Sequence, residues 1–155
     1  ICYAYDTGEI YVADVVYDNS DKSKTQPKIC RKAREHNVGA MYIEASKTTA
    51  AFAEELDKML KSEGKRVNIQ TSMKNAIGKN KEDRILAASP EIREHMIFLE
   101  SGKRTKEYEM FMQNVFSFKF MGKNKHDDAP DSLQMAITFA FPKVSTKVTV
   151  ARRTF

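Results

Sequence analysis

No apolar run in the 155 residues approaches the roughly 20 needed to cross a bilayer, which excludes a membrane-spanning helix of the ordinary kind. The first residues alternate apolar and polar like a strand and lack the pattern of a secretory signal. Only two cysteines occur, Cys2 and Cys30, with no metal-type spacing. Both are expected as free buried thiols in a reducing compartment. A Gly-rich phosphate loop is absent, so no nucleotide-driven motor is encoded here. Internal repeats and low-complexity segments are absent as well. There is no initiator methionine, and the chain opens inside a strand pattern, so further sequence is expected upstream of Ile1.

What is present fits a single globular domain with enough chain for a real core. Hydrophobic residues make up 41% and charged residues 30%, the balance of a water-soluble protein. The net charge is +5, and it is unevenly placed. Between Lys58 and Arg84 lie eight basic residues (Lys58, Lys61, Lys65, Arg66, Lys74, Lys79, Lys81, Arg84) against three acids, Glu63, Glu82 and Asp83. That surplus equals the surplus of the whole chain. A basic zone of this kind suits a polyphosphate backbone, although a lysine-rich solvated face has the same composition.

The local patterns alternate between strand and helix. Ile1–Ala4 and Ile10–Val16 read as a hairpin across a turn containing Gly8. A helix is expected over Pro27–His36, with Ile29, Cys30 and Ala33 inward and Asn37-Val38-Gly39 ending it. Ala40–Glu44 is a short strand, apolar until it ends in an acid. Thr48–Glu63 is the clearest helix: Phe52, Leu56, Met59 and Leu60 form one stripe, and Gly64 closes it. Arg66–Thr71 alternates as a strand, and residues 72–80 form a lysine-rich loop. Glu82–Ala88 reads as a helix that restarts at Ser89-Pro90 and runs to Glu94. A strand at Met96–Leu99 follows. Thr105 caps a helix whose stripe, Tyr108, Phe111, Met112 and Val115, is read as core. The order predicts an α/β fold with a mixed sheet flanked by helices. Residues 1–142 form the domain, and 143–155 a basic tail that is either an added strand or an arm.

The densest chemistry lies in His126-Asp127-Asp128-Ala129-Pro130-Asp131-Ser132-Leu133, ahead of an apolar helix ended by Pro142. Asp128 is the expected N-cap, Pro130 fits the first turn, and Asp131 follows three residues after the cap. Helical spacing places Asp131 on one face with both Asp127 and Asp128. One acid there is ordinary capping. Three crowded acids repel one another, and a cation relieves that cost. His126 is a local hydrogen-bonding partner or outer ligand, or simply exposed. Glu44 stands out next, because functional groups in α/β sheets gather at the carboxyl ends of strands.

The His126–Leu133 run resembles the last motif of the nuclease domain in the large terminase subunits of tailed phages. The strand–acid–small residue–helix pattern at Glu44 resembles that nuclease's second acidic motif. Looser matches, Lys79–Ile85, Ser89–Ile92 and the Tyr108–Phe118 helix, follow in the same order. The resemblance implies an RNase H-like fold and two-metal hydrolysis of phosphodiesters with Mg²⁺ or Mn²⁺, cutting concatemeric double-stranded DNA. It implies Glu44, Asp128 and Asp131 as catalytic metal ligands, with Asp127 as a further candidate. Lys74, Lys79, Lys81 and Arg84 would hold the DNA backbone. It also implies an ATPase domain elsewhere in the protein, a small terminase subunit and a portal as partners, and a place in the host-cell cytoplasm. The family's first acid has no match among Asp6, Asp14 and Asp18. The first strand and its acid are therefore expected to be missing from this chain. Other readings stay open: another RNase H-like nuclease such as a resolvase or transposase core, a DNA-holding fragment without catalysis, or acids that merely cap a helix.

Overall fold

The computed structural model describes residues 1–44, 49–72, 80–124 and 126–141. The opening hairpin forms from β1 (Cys2–Ala4) and β2 (Ile10–Val12), antiparallel, with Cys2 opposite Val12. Gly8 turns the chain at φ +89°, a conformation that favours a residue without Cβ. Its N–H donates to the Tyr5 carbonyl at 2.9 Å. β2 is shorter than its sequence pattern.

α1 (Lys22–Glu35) begins earlier than Pro27 suggested, because the Asp21 side chain accepts the Ser23 N–H at 2.8 Å and caps the helix there. Pro27 is exposed and lies inside the helix. β3 (Ala40–Glu44), α2 (Thr49–Ser62) and β4 (Asn68–Ser72) follow as expected, and Gly64 (φ +74°) ends the turn after α2. α3 (Lys81–His95) does not restart at Pro90 but runs through it as one helix. Pro90 and Leu86, whose carbonyl loses its N–H partner there, are both exposed, so water can satisfy the freed group. β5 (Met96–Phe98), a 3₁₀ turn at Ser101–Lys103, α4 (Lys106–Ser117) and α5 (Asp128–Ala140) complete the order. The expected tail, residues 143–155, and the expected helix stop at Pro142 lie outside the described residues.

The strands divide into two sheets. One is mixed, in the order β1-β2-β5, with β2 and β5 parallel; the other is the parallel pair β3-β4. Among the described residues β1 and β3 each keep one unpaired edge, and both line a cavity of about 740 Å³ that α1 and α5 also border. Cys2, expected to be buried, is exposed, because the whole of β1 lies at this open edge; Cys30 is fully buried.

Each sheet has its own core. Ile10, Val12 and Met96 of the mixed sheet pack with Tyr108, Phe111 and Met112 of α4 and Leu133 and Ile137 of α5. Cys30 and Ala33 of α1 pack with Leu56 and Leu60 of α2 beneath β3 and β4. The expected stripes of α2 and α4 thus supply the centres of two clusters. Tyr108 ties the first one together: its hydroxyl donates to the Val12 carbonyl at 2.7 Å and accepts the Leu99 N–H at 3.2 Å.

Candidate functional site

The site forms where the start of α3 meets the start of α5. Lys81 and Arg84 share one face of α3 with Ile85 and Ala88, which are buried. That inward face packs along α5, so two cations are carried to a helix that begins with three carboxylates. Lys81 Nζ lies 2.7 Å from Asp127 Oδ1, 3.3 Å from Asp128 Oδ1 and 3.5 Å from Asp131 Oδ2. Arg84 reaches the other oxygen of Asp131, at 3.3 Å. One lysine therefore contacts an oxygen of each of the three aspartates.

The three acids sit in different surroundings. The Asp131 side chain is only 9% exposed, whereas that of Asp128 is 76% exposed. Burial works against the charge of Lys81, but the hydrogen bond it donates to Asp127 and the charge of Asp131 outweigh it, and the ammonium is held above the usual lysine range. Burial and then the charge of Asp128 push the Tyr17 phenol up, which brings the segment after β2 into the electrostatic reach of the site.

Asp128 is not the N-cap. That position is Asp127, and its side chain makes no capping bond. The work passes to Asn114 of α4, whose Oδ1 accepts the Ala129 N–H at 3.1 Å while its Nδ2 donates to the His126 carbonyl at 3.0 Å. Capping from a neighbouring helix leaves the Asp127 and Asp128 carboxylates to meet Lys81. Sequence reasoning missed Asn114, and no local pattern marks it. The Lys81–Arg84 pairing did leave a signal: a basic pair on the stripe of Ile85 and Ala88 faces inward and requires an acidic partner there.

Glu44 ends β3 with an exposed side chain. It shares a strand face with Tyr42, whose ring stacks on Phe139 of α5 at 4.1 Å. No hydrogen bond or ion pair joins Glu44 to the aspartates of α5, and among the described residues no three His, Cys, Asp or Glu side chains converge as a metal cage. The structure thus brings together Asp127, Asp128, Asp131, Lys81 and Arg84 and leaves Glu44 outside their contacts. His126 is exposed. Lys74 and Lys79 lie outside the described residues, as does the turn that follows Glu44.

A family model described as Terminase Bacteriophage T7, Ribonuclease H-like domain, matches residues 1–97. This span holds Glu44, Lys81 and Arg84 and stops before the aspartates of α5. No curated protein and no solved structure matches the chain. With more than half of its length matched, and with strands and helices in mixed α/β order, the chain belongs to the ribonuclease H-like domain family of the bacteriophage T7 terminase.

Proposed function

We propose that this domain is the metal-dependent endonuclease that cuts concatemeric double-stranded DNA during phage genome packaging. The observation that carries the reading is the cation already lodged among the aspartates. An ammonium touching one oxygen from each of Asp127, Asp128 and Asp131 marks a place built of hard oxygen donors, the ligand set that Mg²⁺ and Mn²⁺ prefer. These aspartates would hold such an ion, which when bound supplies Lewis acidity toward a phosphodiester.

The chain's own groups divide the remaining work. Asp131, buried and fixed by Arg84, presents a pre-set carboxylate oxygen. Asp128, mostly exposed, is free to turn toward an incoming ligand. Arg84 is largely enclosed and committed to Asp131, so its role is to position that acid rather than to grip DNA. Lys74 and Lys79 keep the proposed role of backbone contacts, which are sequence-independent. In the full protein the partners are the ATPase domain, the small terminase subunit and the portal, in the host-cell cytoplasm.

Cleavage of linear double-stranded DNA with Mn²⁺ by the full-length protein tests the reading. Asp128→Asn removes an exposed charge, so folding should change by less than about 0.5 kcal/mol while cleavage is lost. A folded variant that cuts as fast as the wild type would remove Asp128 from the site.

A further inference from the structure

We propose that the loop between α4 and α5 is a DNA-engaging wedge: Phe120 and Met121 contact base faces at a locally opened step beside the candidate site, and Lys119 and Lys123 hold the flanking phosphates. The inference rests on the nuclease reading above for its partner and adds a contact outside the helix starts. Hydrogen bonds fix the loop. The Gly122 N–H donates to the Lys119 carbonyl at 3.1 Å, which closes a turn with Phe120 and Met121 at its tip. The Asn124 side chain fastens the same residue, accepting the Lys119 N–H at 2.9 Å and donating to the Lys119 carbonyl at 2.8 Å. At the tip Met121 is held at φ +57°, where glycine or asparagine is favoured, and it is 84% exposed. Phe120 is exposed beside it, and Phe116, near the end of α4, is 75% exposed. The fold offsets neither the strain of this turn nor the exposure of its apolar side chains. Such an outlier points to a ligand that supplies the missing contact.

Charge identifies the ligand. From Met110 to His126 the sequence holds Lys119, Lys123 and Lys125 and no acid. Lys119 and Lys123 are exposed, and among the described residues no ion pair engages them. Apolar tips flanked by exposed cations match a nucleic acid, whose base faces are apolar and whose backbone is anionic. Position argues the same way. Phe120, Met121 and Gly122 line a cleft of about 400 Å³ together with Asn80, Glu82 and Asp83 at the start of α3. Asn80 caps that helix one residue before Lys81, and the chain runs on from the loop to the aspartates of α5. The carboxylates of Glu82 and Asp83 repel a phosphate or an anionic lipid headgroup from the cleft, but they accept hydrogen bonds from the amino groups of a base. DNA seated at the aspartates therefore meets this loop with its bases, and an apolar side chain inserted there opens a step.

Binding of the full-length protein, in metal-free buffer, to duplex DNA carrying 2-aminopurine in a short unpaired bubble tests this. Phe120→Ala combined with Met121→Gly should weaken binding to the bubble duplex about tenfold and remove the 2-aminopurine fluorescence change, with less than about a twofold effect on a fully paired duplex. Lys119→Gln combined with Lys123→Gln should weaken binding to both duplexes alike and lower its salt dependence. Met121→Gly alone should melt no lower than the wild type yet bind the bubble less tightly, a divergence that a structural role does not produce. Unchanged bubble binding by the Phe120→Ala, Met121→Gly protein, or equal loss on both duplexes, would overturn the inference. So would capture of the wild type, but not of this variant, by phosphatidylserine vesicles. Mn²⁺-dependent cleavage separates the two levels. If Asp128→Asn abolishes cleavage while the loop variant binds the bubble like the wild type, only the loop assignment fails. If Asp128→Asn cuts normally while the loop variant loses the bubble, the nuclease site fails and the DNA contact stands.

Discussion

The contact between Arg84 and Asp131 should couple the two helices of the site by about 2 kcal/mol, as a charge-assisted hydrogen bond in partial burial does. Their side chains are 17% and 9% exposed, and the closest atoms are 3.3 Å apart. The gross attraction at that distance with an effective dielectric of 20 is about 5 kcal/mol. Desolvation of both groups removes part of it. Lys81 also contacts Asp131, which shares the remainder. A surface pair supplies the comparison. Lys22 and Glu55 approach more closely, at 2.8 Å, but are 62% and 43% exposed, so solvent screening should leave their coupling weaker than that of the enclosed pair. The assay is a pair of double-mutant cycles by chemical denaturation in metal-free buffer: Arg84→Gln with Asp131→Asn, and Lys22→Gln with Glu55→Gln. If the buried pair couples no more strongly than the exposed one, enclosure between α3 and α5 does not govern the site's electrostatics, and the reasoning fails.

Tyr108→Phe should cost about 2 kcal/mol in denaturant melts, since the Val12 carbonyl and the Leu99 N–H each lose a partner inside the first core. Asn114→Ala should cost roughly 1 kcal/mol by withdrawing the cap of α5, and it should slow DNA cleavage more than its stability loss explains, because the capped turn carries Asp127 and Asp128. Asp14 governs acid stability. Burial opposes its charge, but the Lys32 ammonium, the Val15 N–H and the His36 ring outweigh that and hold its carboxyl below the usual range. Its stabilisation is present above the ordinary carboxylate value and disappears as pH falls through the lowered one. Asp14→Asn should therefore melt below the wild type by a constant margin between neutrality and about pH 5, and the margin should shrink below about pH 4. A margin that persists in acid would show that Asp14 acts through packing instead.

Much of the fold was legible because it rests on local periodicity. The stripes of α2 and α4, the Gly8 hairpin and the Thr105 cap are each specified by residues within a turn or two of one another. The errors lie where a local cue met a stronger one. Pro27 and Pro90 each suggest a helix boundary, yet the Asp21 cap and the exposed face of α3 let the helices run through them. The local pattern makes Asp128 the cap because nothing near it reveals that Asn114, on a different helix, does that work. The strand pattern suggests a buried Cys2 because it does not state which edge of the sheet is open.

The sequence by itself determined the succession of strands and helices and the acidic start of α5, since spacing and charge are written along the chain. Only the tertiary structure decided that Lys81 and Arg84 meet those carboxylates rather than solvent, that Asn114 caps α5, and that Glu44 stands apart from their contacts. Each of these depends on which faces of distant elements pack together. Packing is a property of the whole core, and local sequence constrains it only weakly.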